Sequence, residues 1–114
     1  EFDQEFTFLL LKALQYNGHQ NNRVFVLSIP DWSHTPFAQN KAQETGLNLT
    51  EISAQIDAFN EVIKKRCEDM EIKFIYITDV TRNCAPEMLA QDGLHYSANM
   101  HQIWANLLLQ KFEL

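Results

Sequence analysis

Asp92 and His95 stand three residues apart in the stretch AQDGLHYSANMHQIWANLL. On a turn, that spacing puts a carboxylate and an imidazole on one side of the chain. The carboxylate can then accept from one ring nitrogen and leave the other open as a general base. This is the supporting half of a serine-histidine-aspartate triad, with the nucleophile supplied from elsewhere. The same letters also describe an ordinary turn, since Asp92 and Gly93 are turn residues and Ser97 is a candidate N-cap for a following helix.

A second polar group, Asp31, Trp32, Ser33 and His34, lies in the loop PDWSHTPF. If that loop curves over a substrate site, these four are candidate substrate-binding residues. Trp32 and Phe37 would then either shape an acyl or sugar subsite or close the edge of the core. Ser33 has no nucleophile elbow around it. A metal centre would have to draw on Asp31, His34, Asp92, His95 and His101, yet no two histidines have the tight helical spacing of zinc enzymes. No metal site is expected.

The elements that must position these residues follow from hydrophobic period. Phe2, Phe6, Leu9, Leu10, Ala13 and Leu14 recur at helical spacing, and Asn17-Gly18 supplies a stop, which predicts a helix over 2–16. RVFVLSI, residues 23–29, is a near-continuous apolar run ended by Pro30, and IKFIYIT, residues 72–78, repeats it. Both read as strands buried on two faces, the pattern of a parallel sheet. Between them a helix starts after Thr50 as N-cap, with Ile52, Ile56, Phe59, Val62 and Ile63 on its buried face. Met100, Ile103, Trp104, Leu107 and Leu108 mark a last amphipathic helix.

Helix, strand, helix, strand, loop, helix is an α/β order with right-handed crossovers and helices on both sheet faces. In such sheets ligands bind beyond the carboxyl ends of the strands, where the Pro30 to Phe37 and Asp79 to Ser97 loops emerge. Two strands alone leave edges and apolar faces uncovered, since most sheets have about four to six. The 114 residues are therefore expected to be the C-terminal segment of a single larger α/β domain.

Composition narrows the function classes. A net charge of −6 argues against nucleic-acid binding, which depends on clustered cations. The one basic run, Lys64-Lys65-Arg66, is flanked by Glu61, Glu68 and Asp69 and reads as a solvated helix face. No apolar run is long enough to span a bilayer. Cys67 and Cys84 lack the spacing of a redox or zinc motif and read as free thiols.

Taken in order, RVFVLSIPDWSHTPF, IDAFNEVIKK, IKFIYITDV and DGLHYS before a C-terminal helix resemble the closing part of SGNH hydrolases, the GDSL-like esterase and lipase family. The resemblance covers nearly the whole chain. It implies a flavodoxin-like, three-layer α/β/α fold with a parallel sheet, and acyl ester hydrolysis by a catalytic triad without a cofactor. By that resemblance His95 is the base and Asp92 orients it, with Tyr96 standing where the family usually has proline. The Gly-Asp-Ser nucleophile block is absent, as are the glycine and asparagine blocks that complete the family's oxyanion hole. The implied substrate is a small-molecule or carbohydrate ester, and the implied partner is the missing N-terminal part of the same domain. On its own the chain is expected to be inactive and to self-associate through its strand edge. The competing expectation is a noncatalytic or degenerate α/β module that pairs with another chain.

Overall fold

The computed structural model describes residues 1–112. It shows a mixed α/β chain, mostly helical, built around a small parallel sheet of two strands. The main elements are α1 (Phe2–Tyr16), β1 (Phe25–Leu27), α2 (Pro36–Thr45), α3 (Leu49–Asp69), β2 (Lys73–Ile75), the short α4 (Thr78–Thr81) and α5 (Ala98–Leu109).

The two strands pair in register Phe25 with Lys73, Val26 with Phe74 and Leu27 with Ile75. Alternation then sends Val26 and Phe74 to one face and Phe25 and Ile75 to the other. On the first face α1 and α3 bury Leu10, Ile63, Cys67 and Ile72, with Phe2, Phe6, Leu14, Val26 and Phe74 packed around them. On the second face Phe25 meets Phe112, with ring centroids 4.7 Å apart. Ile75 is 2% exposed, whereas Leu27 at the β1 edge is 37% exposed. The expected burial of the strands on both faces therefore fails at Leu27.

Each strand is three residues long, shorter than the seven-residue apolar runs that predict them. The reason is a hydroxyl. Ser28 N still donates to Ile75 O at 2.9 Å, but Ser28 Oγ then accepts from Ile77 N at 2.7 Å and Thr78 N at 3.1 Å. These backbone donors are taken out of the ladder, so the chain turns at once into α4. Asn60, buried on α3, fastens the same place: its Oδ1 accepts from Ile29 N and its Nδ2 donates to Thr78 Oγ1. The buried stripe of α3 is thus Ile56, Asn60, Ile63 and Cys67. Phe59, expected on that face, is 40% exposed and touches Phe2 at the helix edge.

Helix caps correct two more expectations. α3 begins at Asn48, whose side chain accepts from Glu51 N, and Thr50 lies inside the first turn. α2 has no counterpart among the predicted elements. Thr35 caps it by accepting from Ala38 N, Pro36 occupies the first turn, and Gly46 closes it at φ 72°. Gly46-Leu47-Asn48 has the letters of a Gly-x-Asn block, but its glycine ends one helix and its asparagine starts the next.

Candidate active site

The Asp92–His95 turn is built by its own carboxylate. Asp92 Oδ1 accepts from Leu94 N and His95 N, both at 2.9 Å, and Oδ2 lies 2.5 Å from His95 Nδ1. Gly93 supplies the left-handed corner at φ 69°, a region where a Cβ is strained. The base of the turn is clamped by Ala90 N to His95 O at 2.8 Å and Ser97 N to Met88 O at 2.9 Å. Outside the turn, Phe37 N donates to Gly93 O at 3.2 Å and seats it on the first turn of α2. Ser97, the candidate cap of α5, instead donates its hydroxyl to Glu87 O.

These contacts set the state of the Asp92 carboxyl and the donor role of His95 Nδ1. The hydrogen bond from His95, aided by the two backbone N–H groups, lowers the Asp92 carboxyl from its ordinary value to about 2. An ionised Asp92 only accepts, so the hydrogen between them belongs to His95 Nδ1, and in the neutral ring the lone pair is then on Nε2. The His95 side chain is 77% exposed. Among the described residues no hydrogen-bond partner occupies Nε2. The arrangement can take up and return a proton at Nε2, with the imidazolium stabilised by the carboxylate behind it.

The other sequence-nominated group divides in two. Asp31 and Ser33 are buried, at 0% and 4% exposure, and belong to a polar centre. Asp31 accepts from Ser33 N, Ser33 Oγ, Ser53 Oγ and Arg82 Nε. Burial would raise its carboxyl, but the hydrogen bonds from Ser33, Ser53 and Arg82 prevail and hold it at about 2. Trp32 and His34 are partly exposed. His34 Nδ1 lies 3.1 Å from Asn83 Oδ1, and Nε2 lies 3.6 Å from Asp31 Oδ2. His34 and Gly93 line one cleft between the two loops. Of the two Asp-x-x-His groups, the structure thus brings His34 and Gly93 to one cleft, while Asp31 is buried and neither Asp92 nor His95 lines that cleft.

Arg82 is the residue that sequence reasoning passes over. It pairs with Asp31 through Nε at 2.9 Å, with Asp57 through Nη2 at 2.7 Å and with Asp79 through Nη1 at 3.3 Å. Its guanidinium is raised further above its ordinary range, chiefly by the hydrogen bond to Asp57. Only Asp79, three residues before it, gives a local signal. His101 sits apart on α5, with Nδ1 2.9 Å from Ser97 O and its ring against Trp104. Among the described residues no group of three or more His, Cys, Asp or Glu side chains is placed to hold a metal ion. Likewise no helix among them is long and apolar enough to cross a membrane. Cys67 and Cys84 are free thiols. No family model matches the chain, and neither a curated protein nor a solved structure matches it.

Proposed function

We propose that this chain is the C-terminal part of an SGNH-type acyl ester hydrolase of flavodoxin-like α/β/α architecture, supplying the base and its orienting carboxylate. The observation that supports this reading is the Asp92–His95 pair, with Nδ1 held by an ionised carboxylate and Nε2 open to solvent. All four serines in the chain are engaged elsewhere: Ser28 with the β2 end, Ser33 and Ser53 with Asp31, and Ser97 with Glu87. On this reading the nucleophile is a serine of the remaining part of the same domain.

In the reaction the serine oxygen bonds to the ester carbonyl carbon while its proton passes to His95 Nε2. The tetrahedral intermediate collapses, the ester C–O bond breaks, and the departing alkoxide takes the proton from Nε2. Water repeats the cycle on the acyl-enzyme, giving a carboxylic acid and free serine. Asp92 remains ionised throughout. Substrates are small-molecule or carbohydrate esters, and no cofactor takes part.

The test is hydrolysis of p-nitrophenyl acetate by the complete gene product and by its His95→Ala variant. The expected loss is ~10³-fold or more. Equal rates would remove His95 from the mechanism. The second reading is a noncatalytic module that pairs with another chain, favoured by the free edge of β1 and by Phe8, Leu9 and Leu11, each more than half exposed on α1. A complete gene product that forms such a pair and shows no hydrolysis would support it.

A further inference from the structure

On α3, Asp57, Asn60, Glu61 and Lys64 recur at the spacing of one helix face. With Phe74 on β2 and Tyr76 just beyond it, they enclose a cleft of about 460 Å³, within the range of small-ligand sites. Four of these six side chains are held in place by partners. Asn60 is buried, its Oδ1 accepting from Ile29 N and its Nδ2 donating to Thr78 Oγ1. Asp57 accepts from Arg82 Nη2 at 2.7 Å, so its charge is already matched. The Tyr76 hydroxyl donates to Asp79 Oδ1 at 3.3 Å, and Phe74 packs against the core under α1 and α3. The two rings lie 6.5 Å apart and 17° from parallel, which gives the cleft an aromatic floor.

Glu61 and Lys64 differ from the other four. Both are exposed, and among the described residues neither side chain makes a hydrogen bond or an ion pair, not even with the other across one helical turn. A simple amine entering the cleft gains Glu61 and is repelled by Lys64; a simple carboxylate gains Lys64 and is repelled by Glu61 and Asp57. A neutral apolar molecule uses the floor and neither charge. A zwitterion satisfies both, and the ~5 to 6 Å between Cβ atoms one turn apart lets the two side chains reach an ammonium and a carboxylate borne on one carbon. We propose that this cleft binds a free α-amino acid with an apolar side chain, its ammonium on Glu61, its carboxylate on Lys64 and its side chain against the Phe74 and Tyr76 rings. Glu61 accepts from the ammonium and Lys64 donates to the carboxylate, so both contacts are charge-assisted hydrogen bonds. None of the six residues has a part in the hydrolase reading, and the site stands or falls without it.

The test is a titration of the ¹⁵N-labelled complete gene product with L-phenylalanine, followed by nuclear magnetic resonance. Glycine, phenethylamine and 3-phenylpropionate serve as controls that lack the apolar body, the carboxylate and the ammonium in turn. L-phenylalanine should bind saturably at millimolar concentration, shift the Asn60 side-chain amide signal, and bind ~5-fold or more tighter than each control. Glu61→Gln should weaken L-phenylalanine ~5-fold or more without weakening 3-phenylpropionate. Lys64→Gln should weaken it by a similar factor without weakening phenethylamine. Both positions are exposed and glutamine is a good helix former, so α3 is retained in either variant. Failure of L-phenylalanine to saturate by about 0.1 M would overturn the proposal. So would saturation that leaves the Asn60 signal unmoved, a control that binds as tightly as L-phenylalanine, or unchanged affinity in either variant.

Discussion

Replacing Asp31 by Asn distinguishes a scaffold carboxylate from a substrate ligand. The Asp31 side chain is fully buried and receives Ser33 N at 3.0 Å, Ser33 Oγ at 2.5 Å, Ser53 Oγ at 2.6 Å and Arg82 Nε at 2.9 Å. Asparagine keeps the volume, removes the charge and turns an amide donor toward groups that themselves donate. Breaking one side of a buried ion pair costs ~3 kcal/mol, because the partner is left uncompensated; Arg82 keeps Asp57 and Asp79, which caps the loss near that figure. With a urea slope of ~1.5 kcal/mol/M, the denaturation midpoint at pH 7 falls by ~2 M. Acid gives an independent check on sign. A carboxyl held at about 2 against an ordinary 3.8 contributes stability that is fully present above pH 3.8 and disappears as pH falls toward 2. The difference between the parent chain and Asp31→Asn should therefore narrow by ~2 kcal/mol between about pH 5 and pH 2. Asp92 and Asp3, also lowered, are present in both proteins and cancel. A difference under ~0.5 kcal/mol at pH 7, or one that does not change with pH, would refute the account of Asp31 as a scaffold.

Two further substitutions probe the neighbouring geometry. Gly93→Ala forces a Cβ onto a φ of 69° beside Pro36 Cβ at 3.5 Å; it should cost ~1 kcal/mol in urea denaturation and lower ester hydrolysis by the complete gene product, with an unchanged rate as the contrary result. Ser28→Ala leaves Ile77 N and Thr78 N without their acceptor in a buried site; the expected loss is ~3 kcal/mol, and a change below ~1 kcal/mol would show that the strand ends find other partners.

Local features were legible in the sequence, and features that depend on distant partners were not. The α5 stripe of Met100, Ile103, Trp104, Leu107 and Leu108 is read correctly because one helix face sets its period. The Asp92–His95 turn is readable for the same reason, since every bond that shapes its interior lies within three residues. The strand ends are not, because the hydroxyl that takes Ile77 N belongs to Ser28, 49 residues away. Asp31 is nominated as a substrate ligand by its loop, yet two of its partners, Ser53 and Arg82, are 22 and 51 residues distant. α2 carries few apolar residues, so period does not reveal it; Thr35-Pro36 and Gly46, its two end signals, were the available clue. On α1, Leu9 has helical spacing but is 64% exposed, because α3 covers only part of that helix.

The bond from Phe37 N to Gly93 O is made by main chain on both sides. Side chains on the first turn of α2 can therefore change over evolutionary time without shifting the imidazole, provided residue 37 keeps its amide hydrogen. On the proposed hydrolase reading, the imidazole is thus anchored by main chain and not by the side chains that α2 presents.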